Sequence, residues 1–170
     1  TLQSDTILDI VCWGLCNNCI APDQATWTLS WSDEFDGTSL NTSIWTPEIG
    51  AGGWGNNELQ YYTANPQNLT VSNGSLKITA LEETTGSSSY TSSRIITRDL
   101  YEFQHGKIES RIKIPVGQGI WPAFWMLGAN FDQVGWPQCG EIDVMEHVNN
   151  ESLTNGTVHW YNNVSHAYEG

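Results

Sequence analysis

Three acidic residues fall within Glu141-Ile-Asp-Val-Met-Glu146. Paired carboxylic acids are what a nucleophile and a general acid/base are made of, provided one is ionised while the other keeps its proton. In a regular strand, side chains alternate between faces. Glu141 and Asp143 then share one face, Ile142 and Val144 share the other, and Glu146 falls among the apolar residues, where an ionised carboxylate is costly. One extra residue, a β-bulge near Met145, returns Glu146 to the side of Asp143. Three carboxylates in one row repel each other, so at least one should be protonated near neutral pH. The plain alternative is an acidic, solvated strand face. The flanking Trp121-Pro-Ala-Phe-Trp125 and Gly52-Gly-Trp-Gly-Asn-Asn-Glu-Leu-Gln-Tyr-Tyr-Thr63 argue against it, because they supply the aromatic faces and amides a sugar site would use.

The elements that position this row read as strands. Lys107-Ile-Glu-Ser-Arg-Ile-Lys-Ile114 alternates charged and apolar residues, as a half-buried antiparallel strand does. Leu69–Ser72 and Ser75–Ala80, joined by Asn73-Gly74, form a hairpin whose turn dipeptide tolerates positive φ at both positions. Ala123–Leu127 and Thr157–Tyr161 have strand length. Thr84–Ser93, rich in Ser, Thr and Gly, reads as a flexible loop. No stretch of ten residues holds a helical period, so the chain is all-β and a sandwich is expected.

Composition narrows the partners. The chain has 170 residues, with 19 acidic and 6 basic, for a formal charge of −13. That length suits one domain with its own core. The acidic excess argues against nucleic acid and anionic membranes, and no apolar run approaches the ~18 residues of a membrane span. Nine Trp among 19 aromatics make either a Trp-rich core or half-exposed apolar faces. Six sequons begin at Asn41, Asn68, Asn73, Asn150, Asn155 and Asn163, and with four Cys they point to a secreted glycoprotein. Cys12, Cys16 and Cys19 cluster while Cys139 stands alone; no nearby His completes a zinc set, so disulfides of unassigned pairing are expected. Residues 1–26 hold three of the four Cys and no clear strand period, and read as a separate N-terminal segment.

Five blocks in order resemble glycoside hydrolase family sixteen, and its laminarinase-type endo-β-1,3-glucanases most closely. They are Trp31–Gly37, Gly55–Thr63, Ser93–Ile95, Gly119–Gly128 and Glu141–Glu146. The spacing between Glu141 and Glu146 is one residue longer than in lichenases and xyloglucan transglycosylases, which favours the laminarinase side. The resemblance implies a jelly-roll β-sandwich of two curved antiparallel sheets with a cleft on the concave face. The catalytic domain would be residues 27–170, incomplete at its C-terminus.

The resemblance also implies roles. Glu141 would be the nucleophile, Glu146 the acid/base, and Asp143 the carboxyl that orients the nucleophile. Trp121 and Trp125 would stack on sugar rings, although four apart in a strand also suits core aromatics. Asn57 and Arg94 would bond sugar hydroxyls, and His159 would bond the acid/base; Arg94 as an exposed strand charge and His159 as a structural residue are the alternatives. The expected reaction is retaining hydrolysis of internal bonds in a laminarin-like β-glucan. The substrate partner is that polysaccharide, with no nucleic acid, no membrane, a monomeric state and no cofactor. The family's convex-face calcium site takes an Asp from strands expected beyond Gly170, which leaves a structural calcium doubtful. A non-catalytic glucan-recognition protein and a transglycosylase of the same fold are the alternatives.

Overall fold

The computed structural model describes residues 7–13 as backbone, and residues 27–165 and 167–170. In chain order the elements begin β1 (Ile7–Trp13), β2 (Thr46–Glu48), β3 (Gln60–Tyr62), β4 (Leu69–Val71), β5 (Leu76–Ile78), β6 (Tyr90–Ser92) and β7 (Arg94–Ile96). They continue β8 (Lys107–Lys113), β9 (Ala123–Leu127), the short helix α1 (Phe131–Val134), β10 (Glu141–Glu146), β11 (Asn155–Asn162) and β12 (Ala167–Glu169). The chain packs as two compact units, one holding β1 with Phe103–Gly170 and the other Thr26–Glu102.

In the first unit, β8 keeps its expected alternation, with residues 109, 111 and 113 exposed and 108, 110 and 112 partly covered. Its partner is β1, paired antiparallel from Ile7 opposite Lys113 to Trp13 opposite Lys107. This strand was not legible as one. Ile7-Leu-Asp-Ile-Val-Cys-Trp13 is apolar at nearly every position, and such a run carries no period of two. The four-stranded antiparallel sheet of this unit runs β12-β11-β10-β9. At its edge Gly128 donates its N–H to Gly140 O at 3.2 Å, and a Cβ at 128 would collide with the Cys139 backbone. Only glycine lets β9 and the lead-in to β10 approach so closely.

In the second unit, β4 and β5 make the expected hairpin, Leu69 opposite Ile78 and Val71 opposite Leu76. Asn73 and Gly74 both have positive φ, 52° and 67°, as a two-residue turn of this kind requires. The stretch read as a flexible loop proves more ordered. Thr85 and Ser88 bond each other through their backbones, and Tyr90–Ser92 becomes β6, parallel to β3.

What holds β6 is a buried polar cluster rather than an apolar face. Asn68 and Thr91 are both fully buried. The Asn68 amide donates to Thr79 O at 3.0 Å and to Thr91 Oγ1 at 2.9 Å, and its carbonyl accepts from Thr63 Oγ1 at 2.6 Å. Thr91 in turn donates to Glu83 at 2.6 Å. A buried amide with its donors and acceptor all met costs little, whereas each partner left unmet costs about 1–3 kcal/mol. This placement also removes Asn68 from the set of usable sequons, because its nitrogen is enclosed and already donating. Trp31 packs against Tyr101 (4.8 Å, stacked) and Trp45 (5.9 Å, edge-on), so part of the tryptophan content does serve packing. Replacing Asn68 with Ala should lower unfolding stability by about 3 kcal/mol, read from denaturant midpoints. A loss below about 1 kcal/mol would contradict the network.

Candidate active site

The register of β10 carries the site. Against β9, Glu141 faces Leu127, Ile142 faces Met126 and Asp143 faces Trp125, but then Met145 faces Phe124 and Glu146 faces Ala123. Val144 is therefore the extra residue against β9, beside Met145 where the bulge is expected. The same slip appears against β11, where Asp143 faces Thr157 and Glu146 faces Asn155. Directly opposed residues share a face. One face thus collects Glu141, Asp143 and Glu146 with Trp125, Thr157 and His159, while Ile142, Met145, Phe124 and Met126 take the other. Met145 is 2% exposed and anchors that second face.

Each outer carboxylate receives an indole N–H from a loop. Trp121 Nε1 donates to Glu146 Oε1 at 2.9 Å, and Trp136 Nε1 donates to Glu141 Oε2 at 2.6 Å. Both indoles are about half exposed. Trp121 precedes β9 and reaches the row from the loop, so its position does not come from strand alternation with Trp125. Between the outer pair, Asp143 is buried at 5% exposure and bonds His159 Nε2 at 2.9 Å. The imidazole was expected to bond Glu146; it goes to Asp143 because the bulge carries Glu146 past it, opposite Asn155. His159 Nδ1 is held by Tyr168 Oη at 2.6 Å.

Burial, followed by the charges of Glu141 and Glu146 and the hydrogen bond to Glu141, pushes the Asp143 carboxyl up from 3.8 to about 6, with His159 partly offsetting the rise. Of the three carboxyls, Asp143 at the enclosed centre is thus the one pushed to hold a proton up to about pH 6.

The remaining sequence-selected residues lie in the other unit. Arg94 pairs with Glu48 (2.5 Å) and lies 5.0 Å from the centre of the Trp54 ring, so it is neither bare nor merely a surface charge. Asn57 is exposed, with φ of 57°, in the Gly50–Leu59 loop. Glu58 accepts from Tyr62 Oη at 2.6 Å and Gln60 Nε2 at 2.7 Å, and burial pushes the Tyr62 hydroxyl upward. A cavity of about 420 Å³ in that unit, around Ser32–Ile44, holds none of the selected residues.

Trp136 and Tyr168 were missed by sequence reasoning. Trp136 had one usable signal, since an aromatic between Gly135 and Pro137 in the loop entering the acidic strand has no core strand to serve. Tyr168 had none, because its role depends on the register of β12, where it faces Tyr161. Cys139, expected among the disulfides, is a free thiol whose pKa is raised by burial. Cys16 and Cys19 lie outside the described residues, as does the side chain of Cys12. Among the described residues no three His, Cys, Asp or Glu side chains are grouped to hold a metal ion.

A strand that bulges to gather three carboxyls, with indoles at both ends, is a site of the kind that works on glycosides. A family model described as an XgeA-like catalytic GH16 domain matches residues 56–169, and the chain belongs to glycoside hydrolase family 16. A β-glucanase of Rhodothermus marinus is 45% identical over 138 residues, covering 78% of this chain and 48% of the relative. The laminarinase catalytic domain of Thermotoga maritima MSB8 is 45% identical with a TM-score of 0.76, covering 82% of this chain and 60% of that one. A Z. galactanivorans protein crystallised with laminaritriose and laminaritetraose is 36% identical with a TM-score of 0.76, covering 85% of this chain and 66% of that one. The chain spans about half the length, or less, of the curated relatives it matches. The fold class is the all-β jelly roll of these laminarinases.

The folded state binds the Asp143 proton more tightly than the unfolded chain, so this group's contribution to stability falls as pH rises from 3.8 to about 6. The stability of Asp143→Asn relative to wild type should therefore increase between pH 4 and pH 7 in thermal unfolding. An equal difference at both pH values would contradict the assignment.

Proposed function

We propose that this protein hydrolyses internal β-1,3-glucosidic bonds of a laminarin-like glucan by double displacement with retention of configuration. The observation that carries the reading is the bulge at Val144, which brings Glu146 onto the face of Glu141 and Asp143. Two carboxyls about 5–5.5 Å apart are what retention needs, one to attack carbon and one to protonate the leaving oxygen. Four strand steps separate Cα atoms by about 13 Å, a gap two Glu side chains leaning towards each other can close. The names of the relatives and the laminari-oligosaccharides bound in one of them support β-1,3-glucan as the substrate class.

In this reading Glu141 is the nucleophile. The Trp136 N–H on Oε2, together with a hydrogen bond from Asp143 while that carboxyl keeps its proton, holds it as an oriented anion and leaves its other lone pairs for the anomeric carbon. Glu146 takes the Trp121 N–H on Oε1, leaving Oε2 to carry the proton delivered to the glycosidic oxygen. The glycosyl ester on Glu141 is then attacked by a water that Glu146 deprotonates, and Glu141 leaves as carboxylate. We also place the protein outside the cell, supported by exposed sequon asparagines at 41, 73, 150, 155 and 163.

Glu141→Gln should cut laminarin turnover by roughly 10⁴-fold or more while leaving glucan affinity within a few-fold. Glu146→Gln should lose laminarin turnover yet still release a good leaving group from an aryl β-laminaribioside, since that group needs no protonation. Wild-type turnover in folded Glu141→Gln would sink the nucleophile assignment.

A further inference from the structure

We propose that Tyr168 is a positioning residue that fixes the tautomer of His159 and so directs the Asp143 proton towards Glu141. This rests on the hydrolase reading above. Tyr168 Oη and His159 Nδ1 are 2.6 Å apart, and His159 Nε2 and Asp143 Oδ2 are 2.9 Å apart. A neutral imidazole donates from one nitrogen and accepts at the other. Two patterns are therefore open.

In the first, the phenol donates to Nδ1, so Nε2–H donates to Asp143 Oδ2. The Asp143 proton then sits on Oδ1, free to bond Glu141. In the second, Nδ1–H donates to the phenol oxygen and Nε2 must accept, so the Asp143 proton turns to Oδ2 and away from the nucleophile. Glu141 and Asp143 would then face each other with no proton between them unless Glu141 took one, which would silence it. With a neutral imidazole and a protonated Asp143, only the first pattern leaves Glu141 both ionised and hydrogen-bonded.

The surroundings favour that pattern. The Tyr168 ring stacks on His159 (5.7 Å, 22°) and packs against Trp136 (5.0 Å), the indole that itself bonds Glu141. A Cβ on Gly170 would run into both Tyr168 Oη and His159 Nδ1, so glycine there lets the chain close over their bond. The groups facing Asp143 are Glu141 and Glu146 on β10, His159 on β11 and, through the imidazole, Tyr168 on β12. From β9 come Ala123, Trp125 and Leu127, none of which titrates. Glu141, Trp136, Tyr168, His159 and Asp143 thus form a closed ring of contacts that includes the nucleophile.

The test is Tyr168→Phe, which keeps the ring stack and removes only the hydroxyl. With imidazole-¹⁵N-labelled histidine, and the His159 signals assigned by their loss in His159→Gln, wild type should carry its proton on Nε2 with Nδ1 as acceptor. Tyr168→Phe should show the Nδ1–H form appearing. Its kcat on laminarin should fall about tenfold, as loss of one ordinary hydrogen bond that orients the row implies, with KM within about twofold. An unchanged His159 tautomer in Tyr168→Phe would overturn the proposal, and so would unchanged kcat. If wild type releases no reducing ends from laminarin, the hydrolase reading fails, and the nitrogen spectra alone then judge Tyr168.

Discussion

Three carboxyl groups on one face of one strand cannot all be ionised at close range without large cost, and much of the surrounding architecture answers that constraint. The charge is divided by burial. Asp143, at the centre, is enclosed and holds its proton to higher pH, while Glu141 and Glu146 lie towards the ends where indole N–H groups meet them. Neither indole brings formal charge, so each orients a carboxylate without neutralising it. A lysine or arginine in the same place would pair with the carboxylate and blunt its chemistry.

The bulge makes the row possible, and it must be paid for by the opposite face. The slip that moves Glu146 to the carboxyl side also sends Met145 to the other, where it becomes one of the most enclosed side chains among the described residues. The long flexible thioether suits a strand whose spacing has been disturbed. Across the bulge, Val144 and Met145 together face Gly156, where no side chain competes for the space. The local sequence Asp-Val-Met-Glu and the partner Gly156 are thus parts of one solution.

How much of this was legible depends on the range of the interaction. The acidic row, the need for a bulge near Met145 and the hairpin at Asn73-Gly74 follow from period and turn chemistry within a few residues, and all are found. The pairing of His159 with Asp143 was not legible, because it depends on how β11 is registered against a strand that slips partway along. Tyr168 depends on a further register still. In the other unit, Thr91 looked like loop because Ser and Thr dominate its surroundings. Its burial depends on Asn68, twenty-three residues away in sequence, and composition does not report such a partner. The roles of Glu141 and Glu146 were implied by the resemblance to family sixteen alone, while the indole donors that meet them come from loop positions that no strand period reports.

The most direct measurement is the anomeric configuration of the first product released from laminarin, read by proton NMR before mutarotation. A β-anomer at the new reducing end is the result this account predicts, since two displacements at one carbon restore the starting configuration. An α-anomer from folded protein would mean a single displacement by water, and Glu141 would not be the nucleophile.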